Sequence, residues 1–260
     1  MSKKGYRSIR LSFNKQAVNA SVSVTMKRNA IHGIAEVDIT EPRRLMKSQF
    51  EKTGEKLSLT AYIVACLSRI MKEFPELNSY KKGRRLIILD DIVISVLIER
   101  KIDDEMVPEP LGIKQADKKT FRQIQDEIRE AKQNEGKRYG SISGHTWIRF
   151  IPKFLIKLSM LIADKSVFVA KQFGKVGVTA IGMFTNEAFW FIPPGSTTVH
   201  TIIGSINKKV VEIDNQFVTR EYLCLTVSFD HDVVDGAPAT RFINQLTEII
   251  KSGSILKSEL

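Results

Sequence analysis

A histidine surrounded by acids lies near the end of the chain, in the segment Ser-Phe-Asp-His-Asp-Val-Val-Asp-Gly at residues 228–236. His231 has Asp230 and Asp232 beside it and Asp235 four residues later. An imidazole titrates near neutral pH, and a neighbouring carboxylate can hold its ring in one orientation, as a general base requires. The same residue types also occur in structural or surface clusters. Residue type alone therefore leaves both interpretations open.

Two elements with different periodicities flank this segment and must position it. Before it, apolar residues alternate with smaller or more polar ones at period two, which predicts a half-buried strand: Leu223, Leu225, Val227 and Phe229. After it, apolar residues recur at helical spacing: Ala239, Phe242, Ile243, Leu246, Ile249 and Ile250. His231 thus lies on a strand-to-helix connection, where Gly236 can serve the turn. Connections of this kind often display functional side chains from a rigid scaffold.

The His-x-x-x-Asp-Gly pattern of this segment resembles the signature of the 2-oxoacid dehydrogenase acyltransferases (the E2 catalytic domains). Chloramphenicol acetyltransferase shares that core. Two other segments are similar to this family: Lys-Glu-Phe-Pro-Glu-Leu-Asn at 72–78, which ends a long helix there, and Ala-Glu-Val-Asp-Ile-Thr at 35–40. The resemblance covers roughly residues 12–252, apart from an insert.

The resemblance implies the architecture. We expect an α/β, two-layer chloramphenicol-acetyltransferase-like fold, with a mixed sheet and helices on one face. Residues 1–260 are expected to form a single acyltransferase catalytic domain, with no lipoyl or peripheral-subunit-binding domain. Residues 137–173 are expected to be an extra helical insert, because the family crosses this interval in a short loop.

The resemblance also implies an activity. It is the transfer of an acyl group between coenzyme A and a thiol (dihydrolipoyl-like) or hydroxyl acceptor, directly and without an acyl-enzyme or a metal. His231 would be the general base and Asp235 its orienter. Gly-Met-Phe at 182–184 aligns Thr179 with a family serine whose hydroxyl donates to the oxyanion. Taken alone, Thr179 is better explained as an ordinary strand threonine, and no residue is assigned to cofactor binding.

Two departures from the family pattern support an alternative function. The family carries an arginine that pairs with the aspartate of the histidine motif, and Asn14 stands at the aligned position here. Lys15, Arg10 or Arg28 could substitute for it. The alternative is a non-catalytic oligomeric scaffold or a regulatory paralogue of the family. Asn14 and Thr179 favour that alternative, whereas the intact His231 favours an enzyme.

The apolar stretch at residues 147–163 lies inside the insert. It is shorter than the roughly 20 residues that span a bilayer. Arg149, Lys153 and Lys157 follow one another at intervals of four, so the stretch is predicted to be a basic amphipathic helix. We favour packing on the domain or on a neighbouring subunit over docking to a membrane or another partner.

Composition limits the partners and the compartment. The 260 residues carry a formal net charge of +11, but the basic residues are scattered and accompany no aromatic-basic motif, so no nucleic acid is expected. A phosphate-rich ligand such as coenzyme A, an anionic membrane and a merely solvated lysine-rich surface all remain compatible with this charge. Cys66 and Cys224 lie in apolar surroundings and are predicted to be buried thiols, which indicates a cytoplasmic protein. The resemblance implies a homotrimer with shared active sites, and a lipoyl domain on a separate chain as a candidate partner.

The remaining elements follow from periodicity. Residues 20–25 alternate like a strand, although the matching family region is helical. Strands are predicted at 31–38, 85–90, 92–98 and 197–206, and helices at 43–52, 58–74 and 120–132. His32, His145 and His200 are not at metal-ligand spacing and receive no role.

Overall fold

A mixed sheet organises the chain in the computed structural model, which describes residues 5–26, 28–102, 105–134, 153–182, 187–194 and 197–260. Its strands are β1 (Ala30–Asp38), β4 (Ile94–Ile102), β5 (Glu105–Ile113), β6 (Val176–Ala180), β7 (Val199–Ile213) and β8 (Gln216–Asp230). Their order across the six-stranded sheet is β1-β8-β7-β6-β4-β5. β6 runs parallel to β4 and β7, and the other neighbours are antiparallel. β2 (Ser79–Lys82) and β3 (Arg85–Ile88) form a separate two-stranded sheet.

The described helices are α1 (Phe13–Thr25), α2 (Thr40–Thr53), α3 (Leu59–Ile70), α4 (Phe121–Gln133), α5 (Lys153–Asp164), α6 (Val167–Phe173), α7 (Gly236–Ser252) and α8 (Ser254–Glu259). Four of the described helices, α1, α3, α4 and α6, begin at serine or threonine side-chain caps. Ser58 caps α3 and accepts from the backbone N–H of Ala61, and Thr120 and Gln123 form a reciprocal capping box at α4. These caps satisfy backbone donors that the first turn of a helix leaves without a partner.

The main hydrophobic core lies on one face of the sheet. The alternating residues predicted for β8, Leu223, Leu225, Val227 and Phe229, are all buried in it. Phe229 meets Phe242 of α7 edge-to-face, with ring centroids 5.8 Å apart, and Phe242 meets Phe74 in the same way at 5.3 Å. This packing fixes α7 against β8, so the connection between them, which carries His231, has two rigid ends.

The opposite face of the sheet borders a cavity of about 480 Å³. Residues from α1, α5 and α6 form its far wall. These three helices lie on the second face of the sheet, which the prediction of helices on one face did not include. α6 approaches β5 very closely, since a Cβ on Gly112 would lie 2.3 Å from the carbonyl oxygen of Gln172. Only glycine permits such an approach of helix to strand.

Several local predictions changed. The alternation at residues 20–25 is typical of a strand, whereas the resemblance implies a helix; these residues belong to α1, which begins after the cap Ser12 and packs against α5. The predicted strands at 85–90 and 92–98 correspond to β3 and β4, which belong to different sheets. A short apolar run predicts a strand but does not specify its neighbour in the sheet.

The insert is helical where it is described. α5 covers the second part of the stretch at 147–163, and residues 147–152 lie outside the described residues. α5 presents exposed apolar side chains, among them Leu158 and Ile162. Within the described ranges, every helix is too short or too polar to cross a bilayer.

Candidate active site

The connection that carries His231 is held by backbone hydrogen bonds. The N–H of His231 donates to the carbonyl of Asn29 at 2.6 Å, and the N–H groups of Val233 and Val234 donate to the carbonyl of Asp230 at 2.9 and 3.0 Å. The imidazole remains accessible, with its side chain 44% exposed. A histidine on a fixed but open connection can reach a substrate without a change in the fold.

The three acids around His231 have different partners. Asp235 occupies the N-cap position of α7 without a capping hydrogen bond from its side chain, and its Oδ1 lies 3.6 Å from Nδ1 of His231. Asp232 accepts from Asn29 at 3.1 Å and from Lys81 at 3.0 Å, and these two hydrogen bonds lower the pKa of its carboxyl. Asp230 accepts from Arg28 at 3.4 Å. Of the three acids, Asp235 has the ion-pair contact with the imidazole, at a distance longer than a hydrogen bond.

Arg28 connects the histidine segment to the insert. Its guanidinium pairs with Asp230 and also with Asp164, at the end of α5. Asp164 in turn accepts from Lys175 at 3.3 Å, and the Lys175 ammonium lies 4.7 Å from the Tyr80 ring centroid. Burial lowers the pKa of Lys175, although Asp164 opposes this effect. Arg28 therefore pairs with Asp230. The structure does not support the hypothesis that Arg28 replaces the family arginine as the partner of Asp235.

Thr179 meets a histidine that the sequence analysis left without a role. It lies on β6, and its Oγ1 is 2.8 Å from Nε2 of His200 on β7. His200 is buried, which lowers the pKa of its imidazole to about 4 and keeps it neutral at pH 7. The predicted strand at 197–206 indicated a buried side, but only the β6–β7 register brings these two residues together. His32 likewise has a hydroxyl partner, Ser228 at 2.8 Å, and His145 lies outside the described residues.

Thr179 and His231 do not meet within one chain. Thr179 is opposite Ile202 of β7, which is opposite Thr226 of β8. Asp230, the residue before His231, is four residues beyond Thr226 and two strands away from Thr179. The strand geometry separates them by roughly 13 Å along β8 and about 10 Å across the sheet. One reacting carbon could not contact both side chains of the same chain.

Comparison with known proteins identifies similar chains. The family model described as 2-oxoacid dehydrogenases acyltransferase (catalytic domain) matches residues 7–143 and 171–256. A lipoamide acyltransferase component of the branched-chain alpha-keto acid dehydrogenase complex of Bacillus subtilis (strain 168) is 28% identical over 247 residues, which cover 90% of this chain and 51% of the relative. The chain thus spans about half the length of the curated relatives it matches.

Solved structures have the same fold. The cubic core of the pyruvate dehydrogenase multienzyme complex superposes with a TM-score of 0.71 at 19% identity, covering 98% of this chain and 95% of the other. Chloramphenicol acetyltransferase superposes with a TM-score of 0.51 at 14% identity, covering 95% and 97%. At these identities the likeness concerns the fold alone, and it confirms the predicted chloramphenicol-acetyltransferase-like α/β architecture.

Proposed function

Because the chain belongs to the family of 2-oxoacid dehydrogenase acyltransferase catalytic domains, we propose that it moves an acyl group between coenzyme A and a thiol acceptor of the dihydrolipoyl type. The observation that carries this proposal is the accessible His231 on its fixed connection, with Asp235 3.6 Å from its ring nitrogen. A thiol with a pKa near 8.5 is mostly protonated at neutral pH, so its attack on a thioester needs a base. A lipoyl-bearing domain on a separate chain is the partner that this chemistry calls for.

The proposed transfer has one tetrahedral intermediate. Nε2 of His231 takes the proton of the attacking thiol, and the thiol sulfur forms a bond to the thioester carbon. The carbonyl oxygen becomes an oxyanion, to which the Thr179 hydroxyl donates. When the intermediate collapses, the bond to the coenzyme A sulfur breaks and His231 returns the proton to that sulfur. General base catalysis contributes about 10²–10⁴-fold to such a reaction, and one oxyanion donor about 10²–10³-fold.

The active site in this proposal lies between two copies of the chain. Its support is the separation of Thr179 from His231, which leaves each chain with half of the machinery. In a cyclic assembly, His231 of one copy can meet Thr179 of the next, and every copy then uses both halves. We propose a homotrimer, as the family resemblance implies, and a cytoplasmic location on the basis of the two buried, unbridged cysteines.

A non-catalytic scaffold is the second candidate function. Asp235 is 88% exposed, and the Thr179 hydroxyl already has His200 as a partner, so both site residues could be structural remnants. Purified protein should be given a panel of acyl-coenzyme A thioesters with dihydrolipoamide, simple thiols and alcohols. Release of the coenzyme A thiol with dihydrolipoamide supports the enzyme, and no turnover with any pair supports the scaffold.

Replacement of His231 tests the assigned base. His231→Ala should reduce the rate of thiol release at least about 10²-fold, because the acceptor thiol loses its base. Circular dichroism should show an unchanged fold, since the imidazole is exposed. Gln245→Ala, at an exposed position on α7, is the control and should keep wild-type turnover. Near-wild-type turnover of His231→Ala would contradict the assignment.

A further inference from the structure

The cavity of about 480 Å³ adjoins the residue assigned to the oxyanion. Thr179 and His200 both line it, so the Thr179 hydroxyl marks where a thioester carbonyl would meet the cavity. The acyl group of a thioester extends from that carbonyl carbon. A substrate whose carbonyl oxygen lies at Thr179 can therefore direct its acyl chain into this space.

The walls of the cavity suit an aliphatic chain. They are mostly apolar and come from α1, β4, α5 and α6: Ala17, Val18, Leu97, Met160, Val169 and Phe173. The charged lining residues are paired within the protein, Asp164 with Lys175 at 3.3 Å and Glu109 with Arg100 at 2.9 Å, and His200 is neutral. Such a cavity offers little to the phosphates of a nucleotide and favours a ligand without charge.

Its size exceeds what an acetyl group needs. The cavity volume of about 480 Å³ is many times the roughly 30 Å³ that one molecule occupies in liquid water. An acetyl group extends only one methyl group beyond the carbonyl carbon, and it would leave most of the apolar wall without a partner.

We propose that this cavity is the acyl-chain site and that it selects aliphatic acyl groups of about four to eight carbons over acetyl. This inference rests on the proposed acyltransferase function and names its substrate class. α5, part of the predicted insert, supplies Met160 and Ala163 to the wall, so the insert shapes the choice of substrate.

Chain length is the first variable to test. kcat/KM should be measured for acetyl-, isovaleryl-, hexanoyl- and octanoyl-coenzyme A with dihydrolipoamide as the acceptor. Burial of each added methylene should raise kcat/KM about 4-fold until the cavity is full. Hexanoyl should then exceed acetyl by on the order of 10²-fold. A flat or falling profile would overturn the proposal.

Variants that fill the cavity localise the effect. Ala163→Phe should lower kcat/KM for hexanoyl-coenzyme A at least about 10-fold and leave the acetyl value within about 3-fold. Leu158→Phe is the matched control, because Leu158 lies on the same helix and is exposed. Should Ala163→Phe fail to fold, Ala17→Leu on the facing wall from α1 replaces it. An equal loss for all chain lengths would overturn the assignment.

Direct binding separates this inference from the proposed function. Titration calorimetry should detect hexanamide, an uncharged probe, on the wild type and on Leu158→Phe but not on Ala163→Phe, and acetamide should bind to none. Such binding without turnover of any thioester supports the acyl-chain site and rejects the proposed enzyme. Turnover without hexanamide binding, or hexanamide binding that Ala163→Phe leaves unchanged, rejects the acyl-chain site alone.

Discussion

The hydrogen bond between Thr179 and His200 places a condition on the chemistry. A neutral imidazole carries one N–H, so Nε2 either donates to the threonine oxygen or accepts its proton. Only the tautomer with the proton on Nε2 leaves the threonine hydroxyl free to donate to an oxyanion. His200 therefore acts as a positioning residue in the proposed mechanism, at 2.8 Å from the donor oxygen.

Substitution at Thr179 tests the oxyanion role. Thr179→Ser keeps the hydroxyl and should retain activity, whereas Thr179→Val should lose about 2–4 kcal/mol of transition-state stabilisation, measured as kcat. Thr226→Val is a matched control. It is a buried threonine in the same cross-strand row, and its hydroxyl has no hydrogen-bond partner in the described part of the chain. Equal kcat values for Thr179→Val and the control would show that the Thr179 hydroxyl is idle.

His200 should make stability depend on pH. Its pKa is about 4 in the fold, against 6.5 when unperturbed. Between these values the unfolded chain binds the proton and the folded chain does not, so the free energy of unfolding falls as the pH decreases from 6.5 to 4. His200 should thus lower the free energy of unfolding by about 2 kcal/mol between pH 7 and pH 5.

Urea unfolding of the wild type and of His200→Gln at pH 7 and pH 5 measures this dependence. The variant lacks the titrating group and should lose about 2 kcal/mol less than the wild type over this interval. Carboxylates titrate in both proteins, so their contribution cancels in the comparison. Equal losses would mean that His200 takes up its proton as readily in the fold as in the unfolded chain.

At the scale of elements, strong periodicity predicted the helices and strands, but it did not predict which strands pair. α4 was predicted from Phe121, Ile124 and Ile128, which are all buried. β8 was predicted from its alternation, but the expected half-burial is wrong for its second half, because Cys224, Thr226 and Ser228 on the other face are buried as well. The placement of His200 beside Thr179 depends on the parallel register between the consecutive strands β6 and β7, and local pattern carries no information about that register.

The strand β5 carries a buried acid, Glu109, whose partner lies on the neighbouring strand β4. Glu109 is buried, and it accepts from Arg100 at 2.9 Å with both side chains nearly inaccessible. Glu109→Ala would leave a buried guanidinium without its carboxylate and should cost about 3–5 kcal/mol. Urea denaturation measures the loss.

The double replacement of this pair is the control. Arg100→Met with Glu109→Leu removes both charges and should recover most of the lost stability, because neither partner is then left uncompensated. If the double variant is as unstable as Glu109→Ala, the ion pair itself is the source of the stability.

At the scale of the whole molecule, the proposed mechanism divides the site, because one chain supplies only two incomplete half-sites. His231 lies on the connection between β8 and α7, and Thr179 lies on β6 beside the cavity. The proposed cyclic assembly completes both halves, so activity becomes a property of the contact between copies rather than of the fold.

Complementation between inactive chains tests this arrangement. His231→Ala and Thr179→Val chains should be mixed under conditions of subunit exchange. In a random trimer, about one quarter of the sites pair an intact His231 with an intact Thr179 and should be active. Each variant exchanged with itself serves as the control. No recovery, despite mixed trimers in native mass spectrometry, would mean that both residues act within one chain.

The two buried cysteines can report on local and global unfolding of the chain. Cys66 lies in α3 and Cys224 in β8, both buried and unbridged, and burial raises the pKa of Cys66 to about 12. A thiol reagent therefore reacts with neither until the chain opens locally or globally. The labelling rate of Cys66 would measure how often α3 opens, and that of Cys224 how often the central sheet opens. Neither measurement needs an introduced probe.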